Sequence, residues 1–348
     1  MRAAFSTTGL VLALLLAGSA SAAPPKDMSS LYGRAELMTW QYILELQTRR
    51  NFEILVSKGL AKDEVQRASS LRLEMPLETT GLLDFWAKGD TVYVPVLSLK
   101  FLNDILLANA WLYYHGFDPG TIDEYVAMLK YRDASNFPGG RYPRPLDALG
   151  IPQSSEGGLI VGSDKEVEEA YFGSSNIASG FIMAHEIGHV LLGHTKQSGK
   201  TVAERVRDEQ AADAFALRVV SRVQPEVEYM TMYFSLTAVW SPNKPDFSSP
   251  QEYQAYLSTL ADHPVTAERI RALGREAYKN PARFLYPNAP PENLARMQRL
   301  GLNVIKVGDL SDNEAEQKRL AIIGRYAPLV SVKPRPTGVP VPRPKPWQ

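Results

Sequence analysis

The sequence predicts a mainly helical α+β protein with a small β-sheet, on three observations. Apolar residues recur at helical spacing through most of the chain, the β-rich stretches are short and bounded by turn formers, and 45% hydrophobic against 22% charged residues gives material for a core. The length of 348 residues permits one large or two modest domains. Lys plus Arg equals Asp plus Glu, 38 against 38, so no basic surplus points to nucleic acid. The absence of cysteine excludes disulfides, thiolate metal sites and cysteine nucleophiles, leaving histidine and carboxylates as the means of holding a metal.

Residues 1–22 read as a cleaved secretory signal. Arg2 precedes the apolar run Leu10 to Ala17 and the small-residue triplet Ala20-Ser21-Ala22, with cleavage after Ala22 and a periplasmic or secreted location. The run is shorter than the about 20 residues a membrane helix needs. The longest later apolar stretch, Val94 to Tyr114, is interrupted by Lys100, Asn103 and Asp104, so no integral membrane segment is expected after cleavage.

A mostly helical region with a short strand is expected over 23–130. Apolar spacing at Leu37, Trp40, Ile43, Leu44 and Leu46 predicts a helix from Leu31 to Ser57, stopped by Gly59, and a second helix spans Asp63 to Glu74. Thr91 to Val94, between Gly89-Asp90 and Pro95, predicts a short edge strand leading into a helix over 97–115. Residues 131–157 are rich in Pro and Gly and read as a loop. The catalytic region is expected over 158–325. It starts with a possible strand at Gly158 to Gly162, then helices near 165–172, 177–192, 201–222, 226–239, 251–260, 265–279 and 312–323. Residues 326–348 are proline-rich and read as an extended, unpacked tail.

The chemistry concentrates in His185-Glu186-Ile187-Gly188-His189. A separation of four puts both imidazoles on one helix face, a two-point grip on one metal ion, while Glu186, rotated by about 100°, can take a proton from bound water without ligating. The helix over 201–222 carries Glu209 and, four residues on, Asp213. Glu209 is the expected third ligand, because a His/His/Glu set suits one Zn2+ and leaves a position for water. Asp213 is expected to accept the other ring proton of a ligand histidine, His185 for preference. His194 reads as a helix C-terminal cap and His115 as structural. His263, in Asp262-His263-Pro264 before Arg269-Ile270, has three candidate roles: stabilising the oxyanion, occupying the open metal position, or capping the helix that follows.

His185-Glu186-Ile187-Gly188-His189 with His194, then Glu209-Gln210-Ala211-Ala212-Asp213, then His263-Pro264 before Arg269-Ile270, resembles the zinc metallopeptidases of the HtpX and CAAX prenyl protease family, including its soluble periplasmic members. The resemblance covers about 80 residues. It implies a gluzincin-type fold in which an active-site helix packs on further helices beside a small sheet. It also implies zinc bound by His185, His189 and Glu209, Glu186 as acid/base, and Asp213 supporting a ligand. The expected function is an exported zinc endopeptidase acting on proteins or peptides of the cell envelope. Its substrate would lie along Thr91 to Val94 or Leu159 to Gly162, and His263 either takes part in catalysis or holds the enzyme latent. The rival expectation is a zinc-binding envelope protein without proteolytic activity, with the tail as an interaction segment.

Overall fold

Leu37 and Leu44 bury one face of α1 (Arg34–Ile54), which continues into a single π turn at Leu55–Gly59. The computed structural model describes residues 26–153, 164–196, 199–224, 226–259, 263–327 and 332–334, and it is mainly helical with a three-stranded mixed sheet. The expected signal at 1–22 and strand at 158–162 lie outside the described residues.

Residues 63–74 do not form one helix. α2 (Lys62–Arg67) gives way through a 3₁₀ turn to β1 (Arg72–Glu74). Here Arg72 N donates to Asp90 O at 2.9 Å and Val94 N donates to Glu74 O at 2.9 Å, so sheet pairing claims the backbone groups a helix would use. β2 (Trp86–Lys88) and β3 (Thr91–Tyr93) complete the sheet in the order β1-β3-β2. β3 runs parallel to β1, with Leu73 opposite Val92, and antiparallel to β2, with Ala87 opposite Val92.

The strand expected at the edge is therefore the central one. Pro95 lies beyond the ladder and blocks no pairing, and the outer strands are β1 and β2. Gln41 and Arg49 of α1 donate to the carbonyls of Met75 and Leu73, covering the β1 side.

α3 (Val96–Tyr114) is buried nearly all round. Its polar residues are satisfied internally: Lys100 pairs with Asp104 at 2.6 Å, and Tyr32 donates to Asp104 at 2.7 Å. α4 (Thr121–Tyr131) follows the Asp118-Pro119-Gly120 turn, and α5 (Pro145–Ala148) and two 3₁₀ turns occupy the region read as loop.

The helices expected at 165–172 and 177–192 are one, α6 (Lys165–Leu191). Polar residues at the junction are tied inward rather than breaking the helix: Ser175 Oγ donates to Asn103 Oδ1 at 2.5 Å and Ser174 Oγ to the carbonyl of Tyr171 at 3.0 Å. Next come α7 (Val202–Val223), opened by a Thr201/Glu204 capping box, α8 (Thr231–Trp240), α9 (Pro250–Thr259) and α10 (Ala267–Lys279). α11 (Pro291–Ser311), which apolar periodicity did not reveal, and α12 (Glu314–Tyr326) complete the helices.

α10 and α11 touch through backbone. A side-chain carbon at Gly301 would fall 2.6 Å from Gly274 O, and one at Gly274 would fall 2.8 Å from Gly301 O. Buried residues from Met28 to Leu320 form one contiguous core, while Tyr253 and Leu257 of α9 form a separate small cluster with Val202, Phe247 and Tyr256. In the tail expected to be extended, Val332 packs against the core while Tyr326, Lys333 and Pro334 are exposed. Asp118 N donates to Lys333 O at 2.9 Å, and Lys333 pairs with Glu124 at 2.8 Å. No helix among the described residues is long and apolar enough to cross a membrane.

Candidate metal centre

The site forms where α6 crosses α7. Gly188 lets the helices approach, since a Cβ there would lie 3.1 Å from the Phe215 ring and 3.4 Å from Ala212 Cα. The i, i+4 pair His185 and His189 thereby faces the i, i+4 pair Glu209 and Asp213, all four buried.

The donor atoms converge. His185 Nε2 and His189 Nε2 are 3.0 Å apart. Glu209 presents Oε2 at 3.4 Å from His185 Nε2 and Oε1 at 3.2 Å from His189 Nε2. His263, on the loop before α10, places Nδ1 3.0 Å from Glu209 Oε1 and joins the same cluster.

These separations test whether the residues fit a metal. Four donors about 2.0–2.1 Å from a tetrahedral zinc stand roughly 3.3 Å from one another, near the separations observed. The charges agree, since Glu209 and Asp213 share one guanidinium, Arg269, and Glu186 is buried close by, so that with the imidazoles neutral, as ligation requires, the centre holds more negative than positive charge, which a divalent cation would offset. The His/His/Glu/His set therefore fits a metal ion.

Glu186 is 2% exposed, and its Oε2 has no hydrogen-bond partner among the described residues. Burying such an oxygen without a partner is costly, and costs of this kind persist at sites of chemistry.

Outside the donor cluster, Asp213 Oδ1 lies 2.9 Å from His185 Nδ1. Arg269, buried on α10, binds Asp213 through both carboxylate oxygens, Nε to Oδ2 at 2.7 Å and Nη2 to Oδ1 at 2.8 Å. Its Nη1 reaches Glu209 Oε2 at 2.7 Å. The sequence reading gave Arg269 no task; its five-residue distance from Pro264, on the first turn of a capped helix, was the available signal.

His194 does not end as a simple helix cap. Gly193, at φ +78°, turns the chain so that His194 Nδ1 comes 3.1 Å from His189 Nδ1. His115 is half-exposed and pairs with Asp164, the N-cap of α6, at 3.0 Å. Tyr233 of α8 was not anticipated either. Its ring lies 5.8 Å from Phe181, and burial raises its phenol far above the ordinary value in a field that includes Arg269, Asp213, Glu186 and Glu209.

The charges within the site polarise its titratable groups strongly. Burial works against the charge of His185, but the acceptor carboxylates of Asp213 and Glu209 prevail and push it up to about 10. His263 is likewise opposed by burial yet raised to about 9 by Glu209 and Glu186. His189 is lowered, chiefly by burial, and so is His194. Burial resists ionisation of Asp213, but Arg269 and then His185 hold it down to about 2; Glu209 is depressed well below its ordinary value against the same resistance, by Arg269 and His263.

Such a centre, a buried donor set beside an unpartnered carboxylate on a helical scaffold, has the ingredients of a metal-dependent hydrolase. Residues 147–281 match the family model described as Peptidase U49, a span that contains every residue of the cluster and makes peptidase activity the function this match suggests. No curated protein and no solved structure matches the chain.

Proposed function

We propose that the protein is an exported zinc-dependent endopeptidase of the cell envelope, in which Glu186 serves as acid/base. The observation that carries this reading is the buried Glu186 carboxyl group, its Oε2 unpartnered among the described residues, on the same turn of α6 as His185 and His189, whose donors converge with that of Glu209 on α7. His185, His189 and Glu209 would hold the ion. When bound, it supplies Lewis-acid polarisation and lowers the pKa of water. Glu186 takes a proton from the attacking water and returns it to the leaving amine. Asp213 and Arg269 keep His185 and Glu209 oriented.

β2, the outer strand not covered by α1, is the strand along which an extended substrate would pair, in place of the central β3. The motifs shared with HtpX and CAAX prenyl proteases support the same assignment, and the Ala20-Ser21-Ala22 signal supports export.

A second observation bears on regulation. His263 supplies a fourth donor, which supports a latent enzyme whose histidine loop must leave before water and substrate enter; the same closure favours the rival reading of a proteolytically silent zinc-binding protein. Casein cleavage by the metal-loaded wild type, Glu186→Gln and His263→Ala separates these. The proposal expects Glu186→Gln to keep zinc and lose cleavage, and latency expects His263→Ala to gain it. Cleavage surviving in Glu186→Gln would overturn the acid/base assignment, and no cleavage by any form would favour the silent protein.

A further inference from the structure

The two histidines of α6 are backed differently. His185 Nδ1 meets a carboxylate, Asp213, whereas His189 Nδ1 meets a second imidazole, His194 Nδ1, at 3.1 Å. His189 must present its Nε2 lone pair to the cluster, so its ring proton resides on Nδ1 and points at His194. His194 then accepts with Nδ1 and carries its own proton on Nε2, which lies 3.5 Å from Asp208 Oδ1, an ion-pair separation. Lys200 closes the ring by pairing with Asp208 and donating to the carbonyl of His194 at 3.1 Å.

We propose that His194 is a positioning residue for the metal centre, fixing the tautomer and ring plane of His189 through a His189–His194–Asp208–Lys200 relay. The inference rests on the metal-site reading above and assigns it an asymmetry. A carboxylate acceptor raises the basicity of the imidazole it holds more than a neutral acceptor does, so His189 is the weaker donor of the pair. The relay runs through the turn after Gly193 and the segment that begins α7, so it also couples the α6–α7 connection to ligand orientation.

The test uses the full chain with zinc and cobalt as probes. Zinc affinity is read by competition with a chromophoric chelator, and ligand geometry by the visible absorption of the Co2+ form. Removing an outer hydrogen-bond partner of a metal ligand costs about 10- to 100-fold in affinity, so His194→Ala should weaken zinc binding by about tenfold or more and alter the cobalt spectrum. His194→Asn, whose amide oxygen can still accept from His189, should recover much of the affinity and the wild-type spectrum. Should the alanine variant fail to fold, Asp208→Ala tests the far end of the relay and should weaken binding in the same direction by a smaller factor. Wild-type affinity and spectrum in His194→Ala, or in Asp208→Ala where that variant stands in, would overturn the relay while leaving the metal site intact. Failure of the wild type to bind zinc would overturn the metal-site reading itself, and the relay with it.

Discussion

Replacing Arg269 by methionine removes the one guanidinium that faces two buried carboxylates, Asp213 and Glu209, each 3% exposed. Taking one partner from a buried pair costs about 3–5 kcal/mol, because the remaining charge stays desolvated. The depression of Asp213 from 3.8 to about 2, against burial and through Arg269 first and His185 next, is worth about 2 kcal/mol at about 1.4 kcal/mol per unit. Because the folded pKa is the lower one, that contribution is present above about pH 4 and is lost as pH falls through about 2. In the variant the sign reverses, since burial without the guanidinium favours the protonated acids and stability falls as pH rises. Urea denaturation of the metal-free proteins should therefore show a deficit of about 3–5 kcal/mol near pH 7 that narrows below pH 4. A deficit under about 1 kcal/mol, or one independent of pH, would refute the electrostatic account of the clamp.

Two further outcomes follow from the same geometry. In the metal-free protein His185 and His263 are raised to about 10 and about 9, so both carry protons at pH 7, and zinc binding should release about two; calorimetry in buffers of different ionisation enthalpy reads this, and release near zero would contradict it. Gly301→Val would push a side chain into Gly274 O and Tyr278 N, each 2.6 Å from its first carbon, and should cost at least the about 1–3 kcal/mol of an overpacked contact in thermal or chemical unfolding, whereas wild-type stability would show that the helices can separate freely.

Much of the centre was legible because helical spacing is itself a geometric statement. A separation of four at His185 and His189, and again at Glu209 and Asp213, states which side chains share a face before any packing is known. What spacing could not state is which distant segments close over that face. Arg269 and Tyr233 arrive from α10 and α8, and their roles depend on tertiary docking. His194 was misread because a histidine just past a helix normally faces the helix dipole, and the left-handed turn at Gly193 redirects it onto His189. The sheet was the hardest part. Strands of three residues carry little periodic signal, so β1 was absorbed into a helix and the edge was assigned to β3. α11 escaped notice although Pro290-Pro291 offered a helix-start signal.

The contact between Gly274 and Gly301 bears on the centre from a distance. Where two helices rest main chain on main chain, a side chain at the seam would force them apart, and it is α10, seated in this way, that delivers the guanidinium to its two acids. The placing of that guanidinium is then inherited from the shape of a joint remote from the cluster. Directed evolution aimed at exchanging the metal would find leverage by varying the α10–α11 seam as well as the imidazoles.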